Sequence, residues 1–234
     1  MNILITRPLI DAEDLMGKLF SLGHKIIHIP TLKITPAKLE PIDAKKYNAF
    51  IFTSANAIRN LKVTEQDKNK LCFCVGAMTE KIARLKGYSN TVSAGGTVNA
   101  LKNLIINSDQ INEKSKIAYF CGDNISYDLD KELEKDGISI NKIVNYFSEK
   151  ITDLNDQNKK IIESYPPDII FVYSARSALS FLEIVKNYSL YPLMTESKVK
   201  CISKKVADIF STGEWKKVEI FNPGEELLQL ETDK

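Results

Sequence analysis

The stretch that decides the fold is Ala49-Phe50-Ile51-Phe52-Thr53-Ser54-Ala55-Asn56-Ala57-Ile58. Its apolar first half predicts a buried parallel strand. The residues that follow predict a tight turn and a helix with Thr53 or Ser54 as its N-cap. Such a turn presents hydroxyl groups and backbone N–H groups beyond the carboxyl edge of the sheet. Because the N–H groups carry partial positive charge, this pattern favours the binding of an anion.

Much of the chain is internally repetitive. The opening pattern returns at Ile169-Ile170-Phe171-Val172-Tyr173-Ser174-Ala175-Arg176-Ser177-Ala178. A second match joins Cys74-Val75-Gly76-Ala77-Met78-Thr79 to Cys201-Ile202-Ser203-Lys204-Lys205-Val206. At one constant offset, the helix pattern Leu15, Leu19 and Gly23 falls on Leu129, Leu133 and Gly137. These repeats predict two similar structural units.

Strands that alternate with helices at this spacing predict parallel sheets covered by helices on both faces, an α/β fold. We expect two similar flavodoxin-like α/β domains, with the second inserted in the first. The first domain would be assembled from residues 1–32 and 152–234, and the inserted domain would span 38–145. Two extended stretches, 33–37 and 146–151, would form a two-stranded β-ladder that joins the domains.

Composition excludes several classes of protein. The chain has 234 residues, of which 44% are hydrophobic and 26% charged, as in ordinary globular domains. Its net charge of +2 does not indicate a nucleic-acid-binding face. No apolar run reaches the roughly 18–20 residues of a membrane helix. The opening Met1-Asn2 leads directly into a strand instead of a secretion signal, so we expect a cytoplasmic protein with no nucleic-acid or membrane partner.

The familiar catalytic motifs are missing from the sequence. There is no Gly-x-x-x-x-Gly-Lys-Ser/Thr loop, no Gly-x-Gly-x-x-Gly and no Gly-x-Ser-x-Gly. Three of the four cysteines (Cys72, Cys74, Cys121, Cys201) lie in apolar runs, as buried hydrophobic residues do. No histidine or acid cluster completes a metal site, so we expect no bound metal.

Polar turns at the carboxyl ends of strands are the candidate ligand-binding elements, because open α/β sheets bind ligands at that edge. A single such turn is commonly just a helix cap. Together they suit a large polyanion held by backbone N–H groups, hydroxyl groups and a few cations. The candidate binding residues are Arg7, Thr53, Ser54, Ala55, Asn56, Gly76, Ala77, Thr79, Gly122, Ser174, Ala175, Arg176, Ser177, Ser203, Lys204 and Lys205.

Several of these motifs, in their order and spacing, resemble those of the uroporphyrinogen-III synthase family. They are Ile3-Leu4-Ile5-Thr6-Arg7-Pro8, Phe52-Thr53-Ser54-Ala55-Asn56-Ala57, Val75-Gly76-Ala77-Met78-Thr79, Phe120-Cys121-Gly122-Asp123, Ile143-Val144-Asn145-Tyr146 and Val172-Tyr173-Ser174-Ala175. The resemblance covers essentially the whole chain. It implies a HemD-like architecture, two α/β domains joined by a two-stranded ladder, in agreement with the repeats.

The resemblance also implies an activity. Such enzymes are lyases of heme biosynthesis that cyclise hydroxymethylbilane, a linear tetrapyrrole, to uroporphyrinogen III with loss of water and inversion of ring D. No cofactor or metal is implied. The eight carboxylates of the substrate would account for the many polar turns. A monomer is expected, and the preceding enzyme, hydroxymethylbilane synthase, is a candidate for a transient contact.

Two residues take roles from the resemblance. The family's tyrosine at the end of the middle domain falls on Tyr146, which would donate a hydrogen bond to the departing hydroxyl. The alternative is a ladder tyrosine whose ring only packs at the hinge. The threonine after the family's Val-Gly turn falls on Thr79, either a substrate contact or a simple cap.

One segment departs from the family pattern. Where the family usually has Gly-Pro-Thr-Thr, this chain has Ser203-Lys204-Lys205-Val206, so the expected hydroxyl near position 206 is absent. Two lysines could bind carboxylates there by charge instead. This departure keeps open a non-catalytic two-domain binder of an anionic metabolite or of a tetrapyrrole as the alternative function.

Overall fold

The structure, a computed structural model, describes residues 1–40, 42–211 and 215–231, with the side chain of residue 231 excepted. Residues 41, 212–214 and 232–234, which the expected domain ranges include, lie outside the described residues. The chain divides into two compact units. Unit 1 contains Met1–Lys33 and Glu149–Lys234, and unit 2 contains Ile34–Ser148.

Strands and helices alternate along nearly the whole described chain. The strands are β1 (Asn2–Ile5), β2 (Lys25–His28), β3 (Leu32–Pro36), β4 (Ala49–Phe52), β5 (Leu71–Cys74), β6 (Thr91–Ser93), β7 (Lys116–Gly122), β8 (Ser139–Lys150), β9 (Ile169–Val172), β10 (Lys198–Cys201) and β11 (Lys217–Ile220). The helices are α1 (Leu9–Ser21), α2 (Ala55–Arg59), α3 (Ala77–Lys86), α4 (Val98–Ile106), α5 (Leu129–Lys135), α6 (Asp156–Ser164), α7 (Ala175–Asn187), α8 (Tyr191–Met194), α9 (Lys204–Phe210) and α10 (Leu228–Glu231), with a 3-10 turn at Ala44–Lys46.

Unit 1 is built on a five-stranded sheet of order β11-β10-β9-β1-β2. All of its neighbouring strands are parallel. Numbered by chain order within the unit, this is the arrangement 2-1-3-4-5, which is the flavodoxin-like order. The strand order reverses beside β1, so a crevice is expected beyond the carboxyl ends of β1 and β9.

Unit 2 contains a six-stranded sheet of order β3-β8-β7-β4-β5-β6. Numbered by chain order within the unit, its five strands β4 to β8 have the arrangement 3-2-1-4-5, so the parallel strands match those of unit 1 in space but are connected in a different order. The pairs from β8 to β6 are parallel. Strands β4 and β5 occupy the places that β9 and β10 occupy in unit 1, as the sequence repeats indicate. Strand β3 is an additional neighbour of β8 at the sheet edge. The predicted α/β fold with parallel sheets is confirmed.

The cores lie on both faces of each sheet, which explains why the central strands are continuously apolar. Every residue of β4, β5 and β9 is buried. On one face of the unit 2 sheet, Phe50, Phe52 and Phe120 form an aromatic cluster with ring centroids 5.2–6.3 Å apart. All four cysteines are free and buried, as expected for cysteines in apolar runs. Burial raises the pKa of the Cys121 thiol to about 11, so it stays protonated at neutral pH.

Glycine residues mark the ends of two helices. Gly87 ends α3 with a φ of 106°, and Gly137 follows α5 with a φ of 81°. Both values lie in the left-handed region, which only glycine adopts without strain. Each of these helices therefore ends where a glycine supplies the left-handed conformation. None of the described helices is long and apolar enough to cross a membrane.

One charged residue lies in the interior of unit 1. Lys200, on β10, is only 1% exposed, and its Nζ forms an ion pair with Glu219 on the neighbouring strand β11. The Lys200 Nζ also lies 3.4 Å from the amide oxygen of Gln229 on α10. The Glu219 side chain is 46% exposed, so solvent shares in neutralising the pair. This pair ties the outer strand and α10 to the sheet.

We predict that Lys200→Met is tolerated whereas Glu219→Ala is not. Met keeps the unbranched stem and removes the buried charge, so the free energy of unfolding should change by less than about 1 kcal/mol. Removing Glu219 leaves the ammonium group without its carboxylate and should cost about 1–3 kcal/mol. Urea unfolding of both variants checks this. A larger loss for Lys200→Met than for Glu219→Ala would contradict it.

Candidate functional site

Except for Tyr146, which lies within β8, the predicted site residues lie at the carboxyl ends of parallel strands or in the turns and first helical turns that follow them. In unit 2 they follow β4, β5 and β7, and in unit 1 they follow β1, β9 and β10. The carboxyl ends of parallel strands share one edge of a sheet. The structure therefore brings each unit's candidates to a single edge, and the two edges are described separately.

At the unit 2 edge, the turn after β4 is held by two hydroxyl groups. Ser54, and not Thr53, is the N-cap of α2, where its hydroxyl accepts a hydrogen bond from Asn56 N at 3.2 Å. The Thr53 hydroxyl lies 3.2 Å from the hydroxyl of Tyr119 on β7. Ala55 is the buried first residue of α2, and the Asn56 amide oxygen accepts from Arg59 at 2.8 Å. Burial raises the pKa of Tyr119 far above its usual value, so this hydroxyl pair is neutral.

The turn after β5 is an open helix N-terminus. Gly76 is the N-cap of the ten-residue helix α3, and no side chain caps it. A Cβ at Gly76 would lie 3.2 Å from Gly96 Cα, and Gly96 N donates to Val75 O at 2.7 Å. Two backbone segments therefore meet here so closely that an added Cβ would require one of them to shift. With no side-chain cap, the first N–H groups of α3 stay available to a ligand.

Two predicted residues belong to the first turn of α3. Ala77 is exposed at its start. Thr79, two residues later, is only 6% exposed, and its hydroxyl makes no hydrogen bond to any described residue. This hydroxyl is thus not used as a helix cap in the part of the chain that the structure describes.

Tyr146 lies directly against the end of β7. Gly122, the last residue of β7, is aligned with Tyr146 on β8. A Cβ at Gly122 would lie 2.7 Å from Cε2 and Cζ of Tyr146 and 2.9 Å from its hydroxyl oxygen. The Tyr146 ring therefore occupies the space that any other residue at 122 would fill. Its hydroxyl end is at the carboxyl edge of the sheet, while the ring packs against the cluster that contains Phe120.

At the unit 1 edge, Arg7 follows β1 and stacks on an aromatic ring. Its guanidinium carbon lies 4.2 Å from the centroid of the Tyr173 ring. The Arg7 Nε is buried without a hydrogen-bond partner among the described residues, and Arg7 forms no ion pair with any of them. Its carbonyl oxygen accepts a hydrogen bond from His28 Nε2 at 3.0 Å.

The Tyr173 side chain lies near both Arg7 and the acidic residue Glu226. Burial and the nearby Glu226 carboxylate raise the pKa of Tyr173 strongly, partly offset by Arg7. Glu226 is only 6% exposed. The Tyr173 hydroxyl is buried and makes no hydrogen bond to a described residue. These three side chains form a polar cluster; at the unit 2 edge, Thr53 stands at the position that Tyr173 occupies in the repeat.

The turn after β9 caps α7 and then enters a buried hydroxyl network. The Ser174 hydroxyl accepts from Ser177 N at 3.0 Å and caps the helix, with Ala175 as its first residue. The Ser177 hydroxyl, 2% exposed, lies 2.5 Å from Thr31 Oγ1 and 3.2 Å from Thr6 Oγ1. Ser177 is therefore committed to contacts inside the unit. Arg176, in the first turn of α7, is half-buried.

The turn after β10 begins the short helix α9. Ser203 is its N-cap residue but makes no capping hydrogen bond. Lys204 is exposed and pairs with Asp208 at 2.8 Å, which raises the pKa of Lys204. Lys205 is exposed. Val206, at the position of the missing hydroxyl, is 3% exposed and belongs to the core of unit 1.

Two residues that contribute to these sheet edges were not predicted from the sequence. Tyr119 and Glu226 were not candidates, because their roles depend on neighbours that are remote in sequence. The internal repeat did single out Tyr173, because the equivalent position in the other copy is occupied by the smaller residue Thr53. Among the described residues, no group of three His, Cys, Asp or Glu side chains could hold a metal ion.

Two solved structures resemble this chain along its whole length. The first, a uroporphyrinogen-III synthetase from Helicobacter pylori, is 19% identical, with a TM-score of 0.64 over 99% of this chain and 98% of that one. The second is a mutant uroporphyrinogen III synthase from the extremely thermophilic bacterium Thermus thermophilus, 14% identical. Its TM-score is 0.56 over 100% of this chain and 97% of that one. At these identities the likeness shows a shared fold.

Sequence comparison identifies the family. No curated protein sequence matches the chain. The model of the family described as uroporphyrinogen-III synthase HemD matches residues 13–220, which is most of the chain and includes the turns after β4, β5, β7, β9 and β10. The chain therefore belongs to the uroporphyrinogen-III synthase family.

Proposed function

We propose that this chain carries out its family's reaction, the closure of hydroxymethylbilane to uroporphyrinogen III, with Tyr146 at the reacting end of the substrate. The family is catalytic, acts in tetrapyrrole biosynthesis and falls within the lyases. The observation that carries the proposal for Tyr146 is its close approach to Gly122, which holds the phenol at the carboxyl edge of the unit 2 sheet.

The pyrrole rings of the substrate supply the electrons for the reaction, so the protein has only to assist the leaving group and position the chain. The pyrrole nitrogen of the terminal ring pushes electrons toward the hydroxymethyl carbon, the C–O bond breaks, and an azafulvene remains. The Tyr146 hydroxyl donates a hydrogen bond to the departing hydroxide, which takes up the proton released from the pyrrole N–H and leaves as water. Stabilising the charge that develops on a leaving oxygen is a large catalytic effect when the donor is already in place. The protein then folds the chain for ring closure and keeps water from the intermediate.

Carboxylates of the substrate are the ligands proposed for the polar turns. The open N-terminus of α3, with Gly76, Ala77 and Thr79, offers backbone N–H groups and a hydroxyl without a partner among the described residues. At the unit 1 edge, Arg7 offers a guanidinium that forms no ion pair there. A guanidinium binds a carboxylate through two parallel hydrogen bonds.

The turns after β4 and β9 are proposed to bind the substrate mainly through backbone N–H groups. Ser54 and Ser174 accept hydrogen bonds from their own helices, and Ser177 is buried. The binding residues proposed at these helix starts are Thr53, Ala55, Asn56, Ala175 and Arg176. Gly122 is proposed to leave the space that the Tyr146 ring fills. Ser203, Lys204 and Lys205 are proposed to bind carboxylate at the start of α9.

We also propose the domain organisation expected from the sequence. One domain comprises 1–32 and 152–234, the inserted domain comprises 38–145, and 33–37 with 146–151 form the two-stranded linker. The neighbouring positions of β3 and β8 in one sheet support the pairing of the two linker segments. The cytoplasmic location, the monomeric state and the contact with hydroxymethylbilane synthase stay predictions.

The departure at Ser203-Lys204-Lys205-Val206 is compatible with the lyase. Val206 packs in the core of unit 1, so its side chain points away from any ligand at the sheet edge. A hydroxyl at this position of this chain would be buried among apolar groups. The non-catalytic binder therefore loses the one sequence feature that favoured it.

The first prediction concerns the product isomer. Purified protein given freshly generated hydroxymethylbilane should yield uroporphyrinogen III, because enzymatic closure inverts ring D whereas spontaneous closure does not. Chromatographic separation of the oxidised products measures the ratio of isomers. Formation of the type I isomer alone would make the chain a binder and end the lyase proposal.

The second prediction concerns Tyr146. Tyr146→Phe should lower kcat about 100-fold, the usual effect of removing one transition-state hydrogen-bond donor, while KM changes little. Tyr88→Phe is the matched control, because Tyr88 packs in the same cluster but lies between α3 and β6, away from the edge. A kcat for Tyr146→Phe equal to that of the control would remove Tyr146 from the reaction.

The third prediction concerns Arg7. Arg7→Met should raise KM about tenfold with a smaller effect on kcat, because a charge-assisted hydrogen bond to carboxylate contributes to binding before reaction. Lys18→Met is the control, since Lys18 lies on α1 and is ion-paired with Asp14. Steady-state kinetics measures both. An unchanged KM for Arg7→Met would exclude Arg7 from carboxylate binding.

A further inference from the structure

We propose that Asn145 is a positioning residue for Tyr146: it fixes a one-residue bulge in β8 that turns the tyrosine onto Gly122. This inference rests on the proposed function of Tyr146. It assigns a role to a residue that touches no reacting atom, and it concerns only unit 2.

The bulge appears in the register between β7 and β8. Cys121 is aligned with Val144, and the next residue, Gly122, is aligned with Tyr146 instead of Asn145. Asn145 is thus the extra residue of β8. Bulges of this kind re-aim side chains and occur next to active sites.

The bulge decides which face of the sheet Tyr146 occupies. In a regular strand, side chains alternate, so Ile143 and Tyr146, three positions apart, would lie on opposite faces. In the structure both pack against the same cluster, the one that contains Phe120. If β8 paired regularly without the bulge, Gly122 would be aligned with Asn145, and Tyr146 would lie on the other face, because a shift of one residue exchanges the two faces.

Asn145 is bound firmly inside unit 2. It is 0% exposed, and its Nδ2 donates to the carbonyl oxygen of Ala57 on α2 at 2.5 Å. Its own carbonyl oxygen accepts from Ala37 N at 3.0 Å and from Asn60 Nδ2 at 3.4 Å. These bonds connect the bulge to α2 and to the residue that follows β3.

Only one end of the Asn145 side-chain amide forms a hydrogen bond to the described residues. Its Oδ1 is buried without a hydrogen-bond partner among the described residues, which costs stability. An apolar residue would avoid that cost but would leave the Ala57 carbonyl without this donor. What the amide provides is therefore the bond through Nδ2, and with it the geometry of the bulge.

Two further contacts hold the far side of the bulge. Asp123 N donates to the Tyr146 carbonyl oxygen at 3.1 Å, and Ser148 N donates to Asp123 Oδ1 at 2.9 Å. Gly122 then leaves the space that the Tyr146 ring fills. Asn145 sets the direction of the side chain, and Gly122 sets how closely the ring approaches β7.

A double-mutant cycle tests the proposal. Asn145→Ala should lower kcat on the order of tenfold or more with little change in KM, because a small misplacement of a catalytic donor has effects of this size. In the Tyr146→Phe background the same substitution should have almost no further effect, because the donor is already absent. An equal loss in both backgrounds would mean that Asn145 acts only through stability, and would overturn the proposal.

Asn141→Ala is the matched control. Asn141 lies earlier on β8, and its amide donates to the Tyr47 hydroxyl. It should lower the midpoint of thermal unfolding without changing kcat. If Asn145→Ala does not fold, Gly122→Ala takes its place in the cycle, since an added Cβ displaces the hydroxyl end of the ring. Additive losses for Gly122→Ala would equally overturn the proposal.

A readout independent of activity separates this inference from the proposed function. With 3-fluorotyrosine incorporated at position 146, the ¹⁹F resonance should shift in Asn145→Ala and Gly122→Ala and stay in place in Asn141→Ala. If the wild-type chain forms no type III isomer, the proposed function fails, and the ¹⁹F shifts alone decide the positioning role. Unshifted resonances in both variants would overturn it.

Discussion

Parallel pairing of the strands is the constraint on which the rest of the structure depends. Each connection between parallel neighbours must cross the sheet, so the strands other than β2 and β3 are each followed by a turn and a helix. Strands covered on both faces become continuously apolar, as in β4, β5 and β9. Polar groups are consequently excluded from these three strands and collect where the strands end. The candidate site follows from this exclusion.

Close approach of backbone and ring gives the unit 2 edge its shape. Gly76 lies against Gly96, and Gly122 lies against Tyr146. In each case the absence of a side chain lets a second segment come within van der Waals contact of the first. The first contact leaves a helix N-terminus open to an anion, and the second holds a phenol at the edge. One sheet edge thus combines an open helix N-terminus, which we propose as a binding element, with a hydrogen-bond donor.

The two units share an arrangement of strands but differ in the chemistry of their edges. Thr53 bonds to a buried tyrosine of the neighbouring strand, whereas its counterpart Tyr173 lies under the guanidinium of Arg7 and near the acid Glu226. In unit 1 a hydroxyl network of Thr6, Thr31 and Ser177 fills the space beneath the turns. A common fold therefore carries an arginine-centred edge in one unit and a tyrosine-centred edge in the other.

The sequence by itself determined the α/β fold, the similarity of the two units and the turns that carry the candidate residues. It could do so because apolar runs, glycine stops and Thr-Ser caps are local signals that survive in any context. Tertiary structure decided the rest. Whether Tyr146 faces Gly122 depends on a register shift between two strands, and whether the Ser177 or Val206 side chain is available depends on what packs against it. Those outcomes arise from contacts between residues far apart in the chain, which no local pattern encodes.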